Sequence, residues 1–101
     1  MPTASWAVAH DHGGALSFVP RDWDHCEGLL SIIGGELRYT TRQSSHNFRE
    51  RLAQIEEVKT NRVALRGSRA FHLKLPDGRN YNFIPMRASA AGIVDAILGA
   101  R

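Results

Sequence analysis

The chain has 101 residues, 43% apolar and 23% charged. That leaves room for one domain with a core and excludes a disordered chain, a collagen and a coiled-coil rod. The formal charge is +3 but uneven: residues 1–28 hold one base against four acids (−3), and residues 29–101 hold twelve against six (+6).

No stretch approaches the ~18 apolar residues of a membrane span. Met1 to His10 lacks the basic-then-apolar pattern of a secretion signal. Cys26 is the only cysteine, so no disulfide forms within the chain. The expected setting is a reducing cytoplasm.

Frequent Gly, Pro, Asn and Asp favour short strands over long helices. The chain reads as a single domain over 1–101, with residues 1–25 an N-terminal strand and loop, 26–86 strands and 89–99 a helix. Residues 4–10 form a first strand with Trp6, Val8 and His10 on one side. Residues 11–14 break it, and 15–19 form a short extended piece before a loop at 20–24. Leu29 to Ile33 is an apolar run. Gly34-Gly35 follows, a two-residue hairpin signal because both positions accept positive φ. Glu36 to Arg42 alternates, with Leu37 and Tyr39 inward. Gln43-Ser44-Ser45 turns the chain into a strand from His46 to Arg51, with Phe48 inward.

Leu52 begins a turn that runs into a strand from Ile55, carrying Val58, Val63 and Leu65. Gly67-Ser68 reads as another turn. Phe71, Leu73 and Leu75 share the inner face of the strand from Ala70 to Leu75. Pro76-Asp77-Gly78 is a strong turn signal. Tyr81 and Phe83 alternate with Asn80 and Asn82 until Pro85 ends the strand. Ser89 then caps a helix whose Ala90, Ile93, Val94, Ile97 and Leu98 form one apolar stripe, with Gly99 as its stop. The expected core holds Leu30, Leu37, Tyr39, Phe48, Val58, Leu65, Phe71, Leu73, Phe83, Ile93 and Ile97.

The expected fold is therefore mainly β: a barrel of about seven antiparallel strands closed by one C-terminal α-helix. The segments Cys26 to Leu30, Leu37-Arg38-Tyr39, Ile55 to Val58, Asp77 to Phe83 and Ile93 to Ile97 carry a resemblance. In this order they resemble small bacterial pleckstrin-homology (PH)-like domains of unassigned function. The resemblance implies a PH-like barrel and a binding role. The phosphoinositide-binding members share a basic cluster on the first hairpin. Here that hairpin is Ser31 to Glu36, with no base in its turn and Arg38 the nearest, so lipid headgroup binding is not carried over.

Several residues invite chemistry. His10 and His12, two apart on a strand, are candidate metal ligands, with His25 or Cys26 as a third. Asp22, Asp24, His25 and Glu27 form an acidic cluster that lacks the loop of a calcium hand. Ser44, Ser45 and His46 bring a hydroxyl near an imidazole, but neighbouring strand residues diverge, as do Cys26 and His25. Arg62, Arg66 and Arg69 flank a hairpin and are candidate binding residues for an anion. Aromatic side chains alternate inward, which argues against a stacking platform for nucleic acid. The favoured expectation is a non-enzymatic binding module without a cofactor, its partner a protein or peptide. The alternatives are an anionic lipid or other anion on the Arg-rich strands, and a metal-binding protein using His10 and His12.

Overall fold

The computed structural model describes residues 4–11, 25–42, 46–63 and 67–101, of which 11, 25–26, 61–63 and 67–69 are described by backbone alone. Seven strands precede one helix: β1 (Ala4–Asp11), β2 (His25–Ile33), β3 (Glu36–Thr41), β4 (Phe48–Arg51), β5 (Glu57–Val63), β6 (Gly67–Lys74), β7 (Asn80–Pro85) and α1 (Ala90–Ala100). All pairings are antiparallel, in one sheet of order β4-β3-β2-β1-β7-β6-β5. The sheet is open, with β4 and β5 at its edges. Among the described residues no helix is long and apolar enough to cross a membrane.

The turns follow from their residues. Gly34 and Gly35 have φ of 57° and 79°, the left-handed pair a tight β2–β3 hairpin needs. Gly78 has φ of 90°, and its N–H donates to the Leu75 carbonyl at 3.0 Å. The Asp77 carboxylate accepts the Arg79 N–H at 3.0 Å, the local bond that makes aspartate a turn residue.

Alternation puts one face of every strand into a common core. Leu30, Leu37, Phe71, Leu73, Phe83, Ile93 and Ile97 are all fully buried. Tyr39, Phe48 and Val58 join them as expected, whereas Leu65 lies outside the described residues. Leu52 and Ile55 are buried as well. They sit on a 3-10 turn at Leu52–Gln54 and just after it, where mixed helical and extended spacing hid their inward direction.

Four local expectations are corrected. The strand after that turn starts at Glu57 instead of Ile55, because the Ile55 N–H is still held by the Leu52 carbonyl. Gly67 and Ser68 are not a turn: they open β6, with Gly67 paired to Val63 across a register shift in β5. Leu98 is 44% exposed. α1 packs on β5 and β6 through Ala90, Ile93, Val94 and Ile97, and one further residue swings about 100° away from that line. Gly99 does not stop the helix, which continues through it without a positive φ. The N-terminal cap is as expected: Ser89 Oγ accepts the Gly92 N–H at 2.9 Å. Pro85 is the last residue of β7, opposite Val8, and the next N–H, from Met86, reaches the Ala7 carbonyl at 3.0 Å.

Candidate functional site

Among the described residues, three regions gather chemistry. The first is the inner face near His10. β1 alternation turns His10 inward with Val8, and it is 93% buried (7% exposed). Its ring lies 4.6 Å from Tyr81, 5.7 Å from Phe83 and 6.1 Å from Tyr39, centroid to centroid. His46, just before β4, approaches edge-on at 5.1 Å with an interplanar angle of 85°. Tyr81 Oη donates to the His46 carbonyl at 2.8 Å, and Arg79 donates to Tyr81 Oη at 3.2 Å. A polar thread thus runs from the β6–β7 turn to the entrance of β4, inside an aromatic shell that Phe48 and Phe83 complete.

The second region is the outer face of β3 and β4. Arg38 and Arg49 stand directly opposite each other, a like-charge pair that would repel. Glu36 reaches both, at 2.7 Å from Arg38 Nη2 and 2.9 Å from Arg49 Nε. The Arg49 guanidinium first, and Arg38 second, hold the Glu36 carboxyl below the ordinary glutamate range.

The third region is the β5 edge. Glu57 joins Lys59 Nζ at 2.7 Å and His72 Nε2 at 3.5 Å. Hydrogen bonding to Lys59, then to His72, lowers the Glu57 carboxyl, and Lys59 is raised in return. Lys74 pairs with Glu56 at 3.7 Å. α1 packs against both β5 and β6. β5 is thus an edge strand with a helix packed against it.

The residues singled out in the sequence fall unevenly on this frame. Arg62 lies on β5 and Arg69 on β6, their side chains outside the described residues, as is all of Arg66. His12, Asp22, Asp24, Ser44 and Ser45 also lie outside the described residues. His25 stands opposite Asp11, and Cys26 opposite His10. Glu27 is exposed. The imidazole found beside His10 is His46. Sequence reading missed that contact because β1 and the start of β4 are not paired in the sheet.

No protein-family model and no curated protein matches the chain. In structure it is similar to the C-terminal domain of an unknown protein from Leishmania infantum, with a TM-score of 0.70 and 13% identity. The match covers 96% of this chain and 80% of that one. At that identity the likeness concerns the fold.

Proposed function

We propose that the chain is a non-enzymatic binding module of PH-like architecture that takes an extended segment of a protein partner along β5, beside α1. The observation that carries this reading is the position of β5: it is an edge of the sheet and the helix packs against it. An edge strand offers unpaired backbone groups to which an extended peptide adds as a further strand, and a neighbouring helix supplies side-chain contacts for selectivity.

The barrel reading rests on distance. β4 and β5 are at opposite edges, yet only residues 52–56 join them. Seven flat strands would separate those edges by about 29 Å. Six residue steps reach at most about 21 Å. The sheet must curl, and ring contacts such as Phe48 with Tyr81 at 4.8 Å bring β4 toward β7 across the interior. Two meanders, β1 to β4 and β5 to β7, in one curled sheet with a terminal helix support the PH-like barrel reading.

Anion binding is less well supported. Arg38, Arg49, Lys59, Lys74 and Arg79 each sit in an ion pair with a carboxylate. An anion recruited there would have to displace an acid already held. Arg62, Arg66 and Arg69 stay with this second reading.

The test is a selection of displayed random peptides on the labelled full chain, followed by amide NMR mapping of the best binder. Shifts on β5 and α1 that persist at high salt support peptide addition. Shifts centred on β2 to β4, binding that collapses with salt, or an exhausted selection without a binder would overturn it.

A further inference from the structure

We propose that the outward face of β1, β2 and β7 is a docking surface for an amphipathic α-helix of a partner protein, one whose apolar stripe is flanked by acidic residues. This face is distinct from the β5 edge, which lies two strands beyond β7 in the sheet.

The first observation is an apolar strip on the wet side of the sheet. Leu29 is 48% exposed, Met86 51% and Ile33 37%. Ladder register gathers them. Ala7 stands opposite Leu29, and the Met86 N–H reaches the Ala7 carbonyl at 3.0 Å, so Leu29, Ala7 and Met86 form a row across three strands. Ile33 shares the outward side of β2, four positions on. Residues 5–9 and 29–33 carry no charge. An antiparallel sheet with one face in water ordinarily turns polar residues outward. The polar groups in this strip satisfy each other: the Ser5 and Ser31 hydroxyls are 3.1 Å apart. A cover laid over the strip leaves neither hydroxyl without a partner.

The second observation is the charge beside it. Ser31 stands opposite Arg38 and Ile33 opposite Glu36, and across the next ladder Arg38 faces Arg49 and Glu36 faces Arg51. Three guanidinium groups thus surround one carboxylate. Arg49 gives Glu36 only its Nε, at 2.9 and 3.0 Å, and its side chain is 65% exposed. Arg51 is exposed and forms no ion pair among the described residues. A carboxylate arriving here meets Arg51 and the terminal amino groups of Arg49, and Glu36 stays in place. At the other end of the strip Ala9 stands opposite the exposed Glu27. The positive excess therefore lies at the Gly34-Gly35 end, and that is where the partner's acids belong.

Backbone chemistry selects the shape of the partner. β1, β2 and β7 are each paired on both sides, so the face has no free edge to extend. A strand laid on it would leave its own N–H and carbonyl groups unpaired, whereas a helix satisfies them internally. Two strand spacings, from β2 to β7, measure about 10 Å. A helix with its side chains is about 10–12 Å wide. A second copy of this chain fits less well, because the apolar stripe of α1 is buried on β5 and β6 and Asp95 is the one acid of that helix.

The test is a selection on the full chain from a displayed three-helix scaffold with one randomised helix face, followed by amide NMR mapping of the best binder. The selected faces should be apolar with flanking Asp or Glu, and shifts should centre on Ala7, Leu29, Ile33 and Met86. Leu29→Gln and Met86→Gln change exposed side chains, so each should keep the thermal midpoint and weaken binding about tenfold. Arg51→Gln should weaken binding about threefold at low salt and leave it unchanged at high salt. Leu98→Gln, exposed on α1, should bind as wild type. The proposal is overturned if no helix is selected, if the selected faces carry no acidic excess, if shifts centre on β5, or if Leu29→Gln and Met86→Gln bind as tightly as wild type. It is equally overturned if Leu29→Gln abolishes self-association of the full chain, which assigns the face to a second copy, or abolishes adsorption to phosphatidylglycerol vesicles, which assigns it to a membrane.

Discussion

Tyr81, on β7, donates its phenolic hydrogen to the backbone carbonyl of His46, thirty-five positions earlier in the chain. The two residues belong to strands that share no ladder: β7 lies in the middle of the sheet and β4 at its edge. This bond therefore ties the edge to the centre across the interior. Tyr81→Phe keeps the buried ring and removes only the hydroxyl. We expect a loss of about 0.5–1.5 kcal/mol, read from denaturant midpoints. Amide exchange should quicken at Phe48 and its neighbours and stay unchanged on β5. Uniform exchange over the whole sheet would show that the bond does not tether β4.

Phe83 sits within the aromatic core, touching Tyr39 at 4.8 Å, Phe71 at 5.5 Å and Tyr81 at 5.7 Å. It is fully buried. Phe83→Ala should cost about 3–5 kcal/mol. A shift below about 1 kcal/mol in urea unfolding would contradict the burial described for β7.

α1 allows a paired comparison. Ile97 is fully buried and Leu98 is 44% exposed. Ile97→Ala should cost about 2–5 kcal/mol, whereas Leu98→Ala should stay within about 0.5 kcal/mol. Equal losses would mean that the helix is rotated relative to β5 and β6.

Gly28 illustrates a different constraint. It lies in the middle of β2, opposite Val8 and Thr41. A methyl group there would meet the Thr40 carbonyl and lie 2.7 Å from Tyr39 Cε1. Gly28→Ala should therefore destabilise by about 1–3 kcal/mol through overpacking, despite the better strand propensity of alanine. A neutral or stabilising result in thermal unfolding would exclude the close approach of the Tyr39 ring.

Glu36 gives a pH signature. Its carboxyl is held below the ordinary value of 4.5 by Arg49, then Arg38. A depressed folded value means that the ionised carboxylate stabilises the fold above the unfolded value. That contribution is lost as the pH falls through the folded value. Glu36→Gln should be less stable than wild type at neutral pH, because Arg38 and Arg49 then face each other without an anion between them. The two stability curves should converge as the pH falls below 4.5. Parallel curves throughout the acid range would deny the ion pair a role in stability.

Much of this was legible in the residues, where one local rule decides one element. Gly34-Gly35 and Pro76-Asp77-Gly78 mark their turns because backbone torsions are chosen within a few residues. Leu37, Tyr39, Phe71, Leu73 and Phe83 declare their inward face by strict alternation. The rule weakens where two periods overlap, so Leu52 and Ile55, on and after a single 3-10 turn, kept their burial hidden. It also weakens for Gly67, because a glycine followed by serine resembles a turn when no strand partner is known. Leu98 fits a helical stripe in sequence, but the width of the stripe is set by what the helix lies on. The approach of His46 to His10 could not be read at all. It depends on how far the sheet curls, which no local pattern encodes.

The strand order also bears on how the chain reaches this state. Five of the six ladders join strands adjacent in sequence, but the β1–β7 ladder joins Val8 to Pro85. The meanders β1 to β4 and β5 to β7 each close over far less chain, while that ladder must close almost the whole chain. The rate-limiting event in folding should therefore be the docking of two preformed meanders along β1 and β7. Losses at the Ala9–Ile84 step of that ladder would then slow folding, whereas losses at contacts made only after docking would chiefly hasten unfolding.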